Sequence, residues 1–168
     1  MQLSSGEKLL AIMLADLIEA GGIDASIDPA FVKNAIFNDQ MWSLRWQYSG
    51  LFNSNESDPP AVQETASILT MCSYVEYSIK QLDPTDRAQL ADDADTVFVG
   101  FDGNHDDHYG IADTLINNMS RWPEFEGRYL NSHHTVLPKY LRMRAAFDHI
   151  GPTDGGLTLD EIRTILAA

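Results

Sequence analysis

One helix-starting device recurs along this chain and limits what it can become. Ser4-x-x-Glu7 and Thr158-x-x-Glu161 are capping boxes, while Asp28-Pro29, Asp58-Pro59 and Asp83-Pro84 each set an N-cap acceptor just before a proline. A Ser, Thr or Asp at that position accepts from the free N–H groups of the first turn, and proline has no N–H to leave unsatisfied. Apolar residues with helical period follow these starts. Leu10, Met13, Leu14 and Leu17 recur on one face after the first, which Gly21-Gly22 closes. The second start opens a helix to about Asn38, and 41 to 48 reads as a short further helix or turn. Beyond the loop at 51 to 60 comes a long helix whose Ile68, Cys72, Val75, Ile79 and Leu82 step by fours and threes along one stripe. A short acidic helix to about Asp93, helices over 105 to 119, 137 to 149 and 159 to 167, and a Gly- and Pro-containing link at 151 to 156 complete the reading. Thr96 to Phe101 reads as extended, without a visible strand partner. The expectation is an all-α protein, a single domain spanning 1 to 168 with seven or eight helices.

Composition narrows the function classes. A content of 44% hydrophobic residues in 168 positions suits one globular core. The apolar residues are dispersed, with no run near the ~18 needed to span a bilayer, and no basic-then-apolar leader opens the chain. These features predict a soluble, cytoplasmic protein without membrane association. The lone cysteine, Cys72, cannot close an internal disulfide, and its place in the apolar stripe makes it a buried core residue. A formal charge of −14 argues against strong nonspecific nucleic-acid binding, which depends on Lys and Arg neutralising phosphates. The charge is uneven, however. Residues 83 to 113 carry nine Asp against Arg87 alone, whereas 121 to 144 carry Arg121, Arg128, Lys139, Arg142 and Arg144 against Glu124 and Glu126. Any anion site falls in that second segment, with His134 and Arg144 as ligand-binding candidates. Arg144 projects into the apolar side of its helix and needs an acidic partner, for which Asp148 at i+4, in the weaker order for such a pair, and an acidic group from 92 to 113 are equally available.

Two further constellations carry possible chemistry. FDGNHDDHYG, 101 to 110, gathers two histidines and three aspartates. With Asn104 capping a helix, Asp106 and Asp107 favour its positive end while His105 and His108 turn towards the apolar side, so the ligands diverge and no metal or other cofactor is expected. In GRYLNSHH, Arg128-x4-His133 matches the short arginine-to-histidine signature of HEPN-type ribonucleases, helical dimers that pair two such motifs. There a histidine would activate or protonate a ribose or phosphate oxygen and an arginine would stabilise the phosphate charge without metal. Arg144-x4-His149 fits the same pattern, so the motif is permissive. A third cluster, Met41 to Phe52, concentrates large apolar and aromatic residues, which makes Trp42, Trp46 and Tyr48 candidates for a homodimer or higher oligomer interface.

The segments EKLLAIMLADL, DPAFVKNAIFNDQMWSLRWQYSGLF, GFDGNHDDHYGIA and EFEGRYLNSHHTVLPKYLRM together resemble the YfbU family of bacterial proteins. The distinctive words are the tryptophans four apart in MWSLRW, then GFDGN, then GR-x-LNSH. The resemblance implies an all-helical, cytosolic bacterial protein that self-associates, and it assigns no catalytic residue. The functional expectation is therefore an oligomeric binding or regulatory module that acts on a protein or a small anionic ligand. The alternative is a metal-independent ribonuclease using Arg128 and His133.

Overall fold

A computed structural model describes residues 3–52, 56–91, 94–151 and 155–168. Parts of three expected features, the loop before the long helix, the end of the acidic helix and the link to the last helix, fall at 53–55, 92–93 and 152–154 and lie outside the described residues. The architecture is all-α. Its helices are α1 (Ser5–Gly21), α2 (Pro29–Phe37), α3 (Met41–Gln47), α4 (Pro60–Gln81), α5 (Pro84–Arg87), α6 (Asp107–Asp113), α7 (Leu137–Ile150) and α8 (Leu159–Leu166). A π-helical turn, Thr114–Asn118, extends α6, and a 3-10 turn covers Pro123–Phe125. The chain forms two compact units, Met1–Pro59 and Pro60–Ala168.

The capping signals act as their chemistry dictates. Ser4 and Glu7 satisfy each other reciprocally, as do Thr158 and Glu161. Asp28 accepts from the Ala30 and Phe31 amides, and Asp83 from those of Thr85 and Asp86. The Asp58-Pro59 start differs, because α4 opens one residue later, at Pro60, and the Asp58 carboxylate also accepts from the Arg45 guanidinium and the Trp46 indole N–H. The helix expected after Asp83 is also short, ending at Arg87.

In the first unit α2 packs against both α1 and α3. Trp42 is buried, and its ring meets that of Trp46 edge to face at 5.4 Å. The Trp46 N–H donates to Asp58 at 2.8 Å. The Tyr48 hydroxyl accepts from the Asp28 amide at 2.9 Å while its ring meets Phe31 edge-on. These three aromatic residues are thus engaged inside their own unit. Leu51 of the same cluster is exposed, but most of the large apolar side chains left exposed in this unit belong to α1, whose one buried residue is Ala15.

The second unit is organised on α4, which packs against α6, α7 and α8. The stripe expected from its sequence is the core: Ile68, Cys72, Val75 and Ile79 are buried, and Leu82 lies half-buried just past the helix end. Burial pushes the Cys72 thiol far up from its ordinary value, so it remains protonated and packs as a small apolar group. The extended segment ending at Phe101 does find a partner. The Phe101 amide donates to the Leu130 carbonyl and its carbonyl accepts from the Ser132 amide, both at 2.9 Å, forming an isolated parallel bridge between Phe101 and Asn131. A pairing of single residues about thirty positions apart leaves no alternation pattern in either strand of chain, which is why sequence reading misses it.

Gly100 makes this bridge possible. Its φ of +89° lies where side chains are disfavoured, and a Cβ placed there would stand 2.1 Å from the Leu130 carbonyl oxygen. Gly100→Ala therefore combines backbone strain with a backbone clash. It is expected to lower unfolding free energy by about 3 kcal/mol or more, read from urea denaturation. A change below about 1 kcal/mol would show that the bridge is not a fixed part of the fold.

Candidate functional site

The polar centre of the second unit is a residue that motif reading passes over. Glu76 sits on α4 with only 2% of its surface exposed. Its Oε1 accepts from the amides of Val97 and Phe98 at 2.9 and 3.0 Å and from Arg128 Nη1 at 2.9 Å, and its Oε2 accepts from Arg128 Nη2 at 2.7 Å. A buried carboxylate is tolerable only when its lone pairs are satisfied this fully. Arg128, half-buried, also lies over the Phe125 ring at 4.7 Å. The Glu76 carboxylate raises the Arg128 guanidinium further above its ordinary value. The signal for Glu76 was present as an acid between Cys72 and Ile79, within the apolar stripe of α4.

The other predicted site residues take separate partners. His133 has a left-handed backbone, φ 55°, and its Nε2 meets the Tyr129 hydroxyl at 2.7 Å on the surface. Its amide donates to the Asn131 side chain, which also accepts from the Gly103 amide. The Arg128 guanidinium instead turns to Glu76, so the two members of the arginine-histidine motif have different hydrogen-bond partners. Arg144 pairs with Asp148 at 2.8 Å, one helical turn on, as its sequence context allowed. The buried face of α7 is formed by Tyr140 and Met143, and Arg144 lies beside it, half-buried.

His134 is placed differently. Together with Lys139 it lines a cleft of about 440 Å³ whose wall includes Val97, Val136, Tyr140 and Met143. These four are buried core residues, and together they make the floor largely apolar. The Tyr140 hydroxyl accepts from the Val99 amide at 2.9 Å, and burial pushes that phenol well up from its ordinary value. His134 Nδ1 meets the Ser132 carbonyl, which can only accept, so Nδ1 carries the proton and Nε2 remains the second ring nitrogen. Lys139 makes no ion pair among the described residues. An apolar cleft of this size edged by two cationic or protonatable groups suits one small molecule with an apolar body and an anionic head.

The acidic histidine stretch folds otherwise than its pattern suggests. The Asp102 carboxylate accepts from the Asn104 amide and its carbonyl from the His105 and Asp106 amides. That turn consumes residues 103 to 106, so the helix begins at Asp107 and His105 lies before it. His105 is accordingly exposed and bonded to Asp102 at 2.8 Å, rather than on the apolar side as expected. The Asn104 amide, helped by His105, holds the Asp102 carboxyl below its usual value. His108 does face the core, with its ring 5.4 Å from that of Phe101 and its Nε2 2.8 Å from Glu64. The two histidines thus have different acidic partners, and no group of three His, Cys, Asp or Glu suited to a metal occurs among the described residues.

Fold and cleft together define an all-helical protein with a cavity of small-molecule size, and no described helix is long and apolar enough to cross a membrane. The chain belongs to the YfbU family: the model of the YfbU domain matches residues 28–168. No curated protein matches the sequence significantly. The matched span holds the whole second unit and begins at Asp28, leaving α1 ahead of it.

The geometry makes Arg128 structural in a measurable way. Removing one partner of a buried charge pair leaves the other uncompensated, at a cost of about 3–5 kcal/mol. Arg128→Met is expected to lower stability towards the lower end of that range, because its side chain is 27% exposed. Adding Glu76→Gln is expected to cost less than the sum of the two single changes. Additive losses in chemical denaturation would show that the pair is not coupled.

Proposed function

We propose that this YfbU-family protein is a non-catalytic binding protein whose ligand is a small amphipathic anion, such as a medium-chain carboxylate, seated in the cleft beside α7. The observation that carries this reading is the pairing of an apolar floor with His134 and Lys139 at one cleft, in a chain with a net charge of −14. Burying the ligand's hydrocarbon supplies affinity, and the two side chains supply the preference for a negative head group. The basic segment was expected to hold the anion site, and Lys139 joins His134 there while Arg144 is committed to Asp148. A binding protein of this kind acts by changing its associations when the ligand arrives, which is the regulatory side of the proposal.

Decanoate is a suitable probe. Calorimetric titration is expected to give one site per chain, with Lys139→Glu weakening binding at least about tenfold, since a charge-assisted hydrogen bond contributes about 1.5–3 kcal/mol. Decanol, which keeps the chain but lacks the charge, should bind more weakly by a similar factor. Failure of the folded wild-type protein to bind decanoate, or equal binding by Lys139→Glu, would overturn the reading.

The ribonuclease alternative makes the opposite demand on the same chain. The commitment of Arg128 to Glu76 supports the non-catalytic reading, because a guanidinium already neutralised by a buried carboxylate has little charge to offer a phosphate. Single-stranded RNA incubated with the protein and a chelator is expected to remain intact. Cleavage that disappears in His133→Ala would replace the binding proposal with the catalytic one.

A further inference from the structure

The Leu and Met residues of α1 are more exposed than their chemistry permits in a protein that stays alone. Leu9, Leu10, Met13, Leu14 and Leu17 are each between 53% and 65% exposed. Scattered exposed leucines need no explanation, but these are not scattered. At 100° per residue they occupy one arc about 140° wide, from Leu9 through Met13, Leu17 and Leu10 to Leu14. Gly6 and Ala20 fall within the same arc, and no charged residue does. The centre of the arc reads Gly6, Leu10, Met13, Leu17, Ala20, with steps of four, three, four and three, the spacing of a two-helix seam.

The opposite side of α1 is the one that α2 uses. Ala15 is buried there and Ala11, Ile12 and Ile18 are half-buried, whereas the four leucines and Met13 of the arc face outwards. This inverts the usual order of an amphipathic helix within a closed core. The charges that border the arc are already engaged locally: Glu7 with Ser4 in the capping box, and Asp16 with Lys33 at 3.0 Å. Beside the arc runs an apolar groove of about 280 Å³ to which Leu14, Ala11 and Ile18 contribute with Ile27 and Val32 of the same unit. Such a groove gives large side chains from an apposed helix a place to seat.

We propose that this face of α1 is the contact through which two copies of the chain pair about a two-fold axis. The seam is self-complementary, as an isologous interface requires, because every large residue on it is apolar and a second copy offers the same surface. Five side chains of this size, each more than half exposed, present roughly 500 Å² of apolar surface. Covering it on both copies removes about 1,000 Å² in total, the threshold at which a specific interface becomes credible. A charged partner would find nothing on the arc to recognise. The contact differs from the Trp42, Trp46 and Tyr48 cluster expected from the sequence, whose side chains are engaged inside the first unit. It is also independent of the ligand cleft, whose lining residues all belong to the second unit, so either proposal can fail without the other.

The test uses the full chain at tens of micromolar in light scattering and sedimentation velocity. Wild type is expected at twice the 18.7 kDa chain mass, with association strengthened by added salt, because screening reduces repulsion between two acidic copies while leaving apolar contact intact. Leu10→Glu combined with Leu17→Glu is expected to give a monomer with unchanged helical circular dichroism and unchanged decanoate binding. A monomeric wild type overturns the proposal, including the case in which it instead binds phosphatidylcholine vesicles and α1 is a lipid-facing helix. A double variant that stays dimeric overturns it by placing the contact elsewhere. A monomeric double variant that loses its helical signal also overturns it, because the face is then needed within one chain.

Discussion

A single carboxylate determines how the second unit of this protein is put together. Glu76 brings into one hydrogen-bonded set the core helix α4, the extended stretch at 97 to 98 and the loop carrying Arg128. Each of these would be unstable alone. Two adjacent backbone amides in an irregular segment need acceptors, a buried carboxylate needs donors, and an arginine drawn across an aromatic ring needs a counter-charge. Each need answers another, and the segments before and after α6 are thereby fixed on α4. Replacing the set with apolar residues would leave the Val97 and Phe98 amides without partners, so the network cannot be exchanged for simple packing as easily as an isolated ion pair.

The rest of the junction follows from that placement. Once residues 97 to 98 and Arg128 are held, Phe101 comes beside Leu130 and Asn131 closely enough to form the bridge, and only a glycine at 100 fits under the Leu130 carbonyl. Asn131 then reaches the Gly103 amide, where a Cβ would meet the Asn131 side chain at 2.6 Å. The two distinctive words GFDGN and GR-x-LNSH are therefore the two halves of one contact. Their residue types answer to backbone spacing, buried charge and turn formation. In this contact the Arg128 guanidinium is bonded to Glu76, and His133 lies in a surface turn with its amide bonded to the Asn131 side chain. The four rings of Phe98, Phe101, Phe125 and Tyr140 pack around the junction and form part of the floor of the neighbouring cleft through Tyr140.

What was legible in the sequence was local. Capping boxes and the Asp-Pro pairs at 28 and 83 act through residues two or three positions away, and those starts lie where the sequence placed them. The stripe of α4 was legible because burial imposes the helical period on residue type. The start at Asp58 was misplaced by one residue and the helix after Asp102 by two, in both cases at an aspartate with an additional side-chain partner, Arg45 or His105. The Phe101 bridge, the role of Glu76 and the cleft depend on residues tens of positions apart, and no period records such meetings. The face of α1 shows a related limit. Its period was read correctly, but period alone says only that a helix has an apolar side, and not which side turns inwards.

Charge offers the same lesson in energetic form. Counting cations made 121 to 144 the basic part of an acidic chain, yet most of those cations are already engaged. Arg128 is held by Glu76, Arg144 by Asp148, and Arg142 donates to the carbonyls of Pro138 and Ala168. A guanidinium with a good acceptor at hydrogen-bond distance must give it up before it can bind a ligand, and the lost interaction subtracts directly from affinity. Lys139 and His134 stand apart because both line an apolar cavity, and Lys139 has no ion pair among the described residues. An exposed ammonium at the edge of a cleft keeps its charge available to an anion, whereas a paired guanidinium must first give up its partner. Among the described residues, Arg128, Arg142 and Arg144 thus serve as structural ties rather than as free cations.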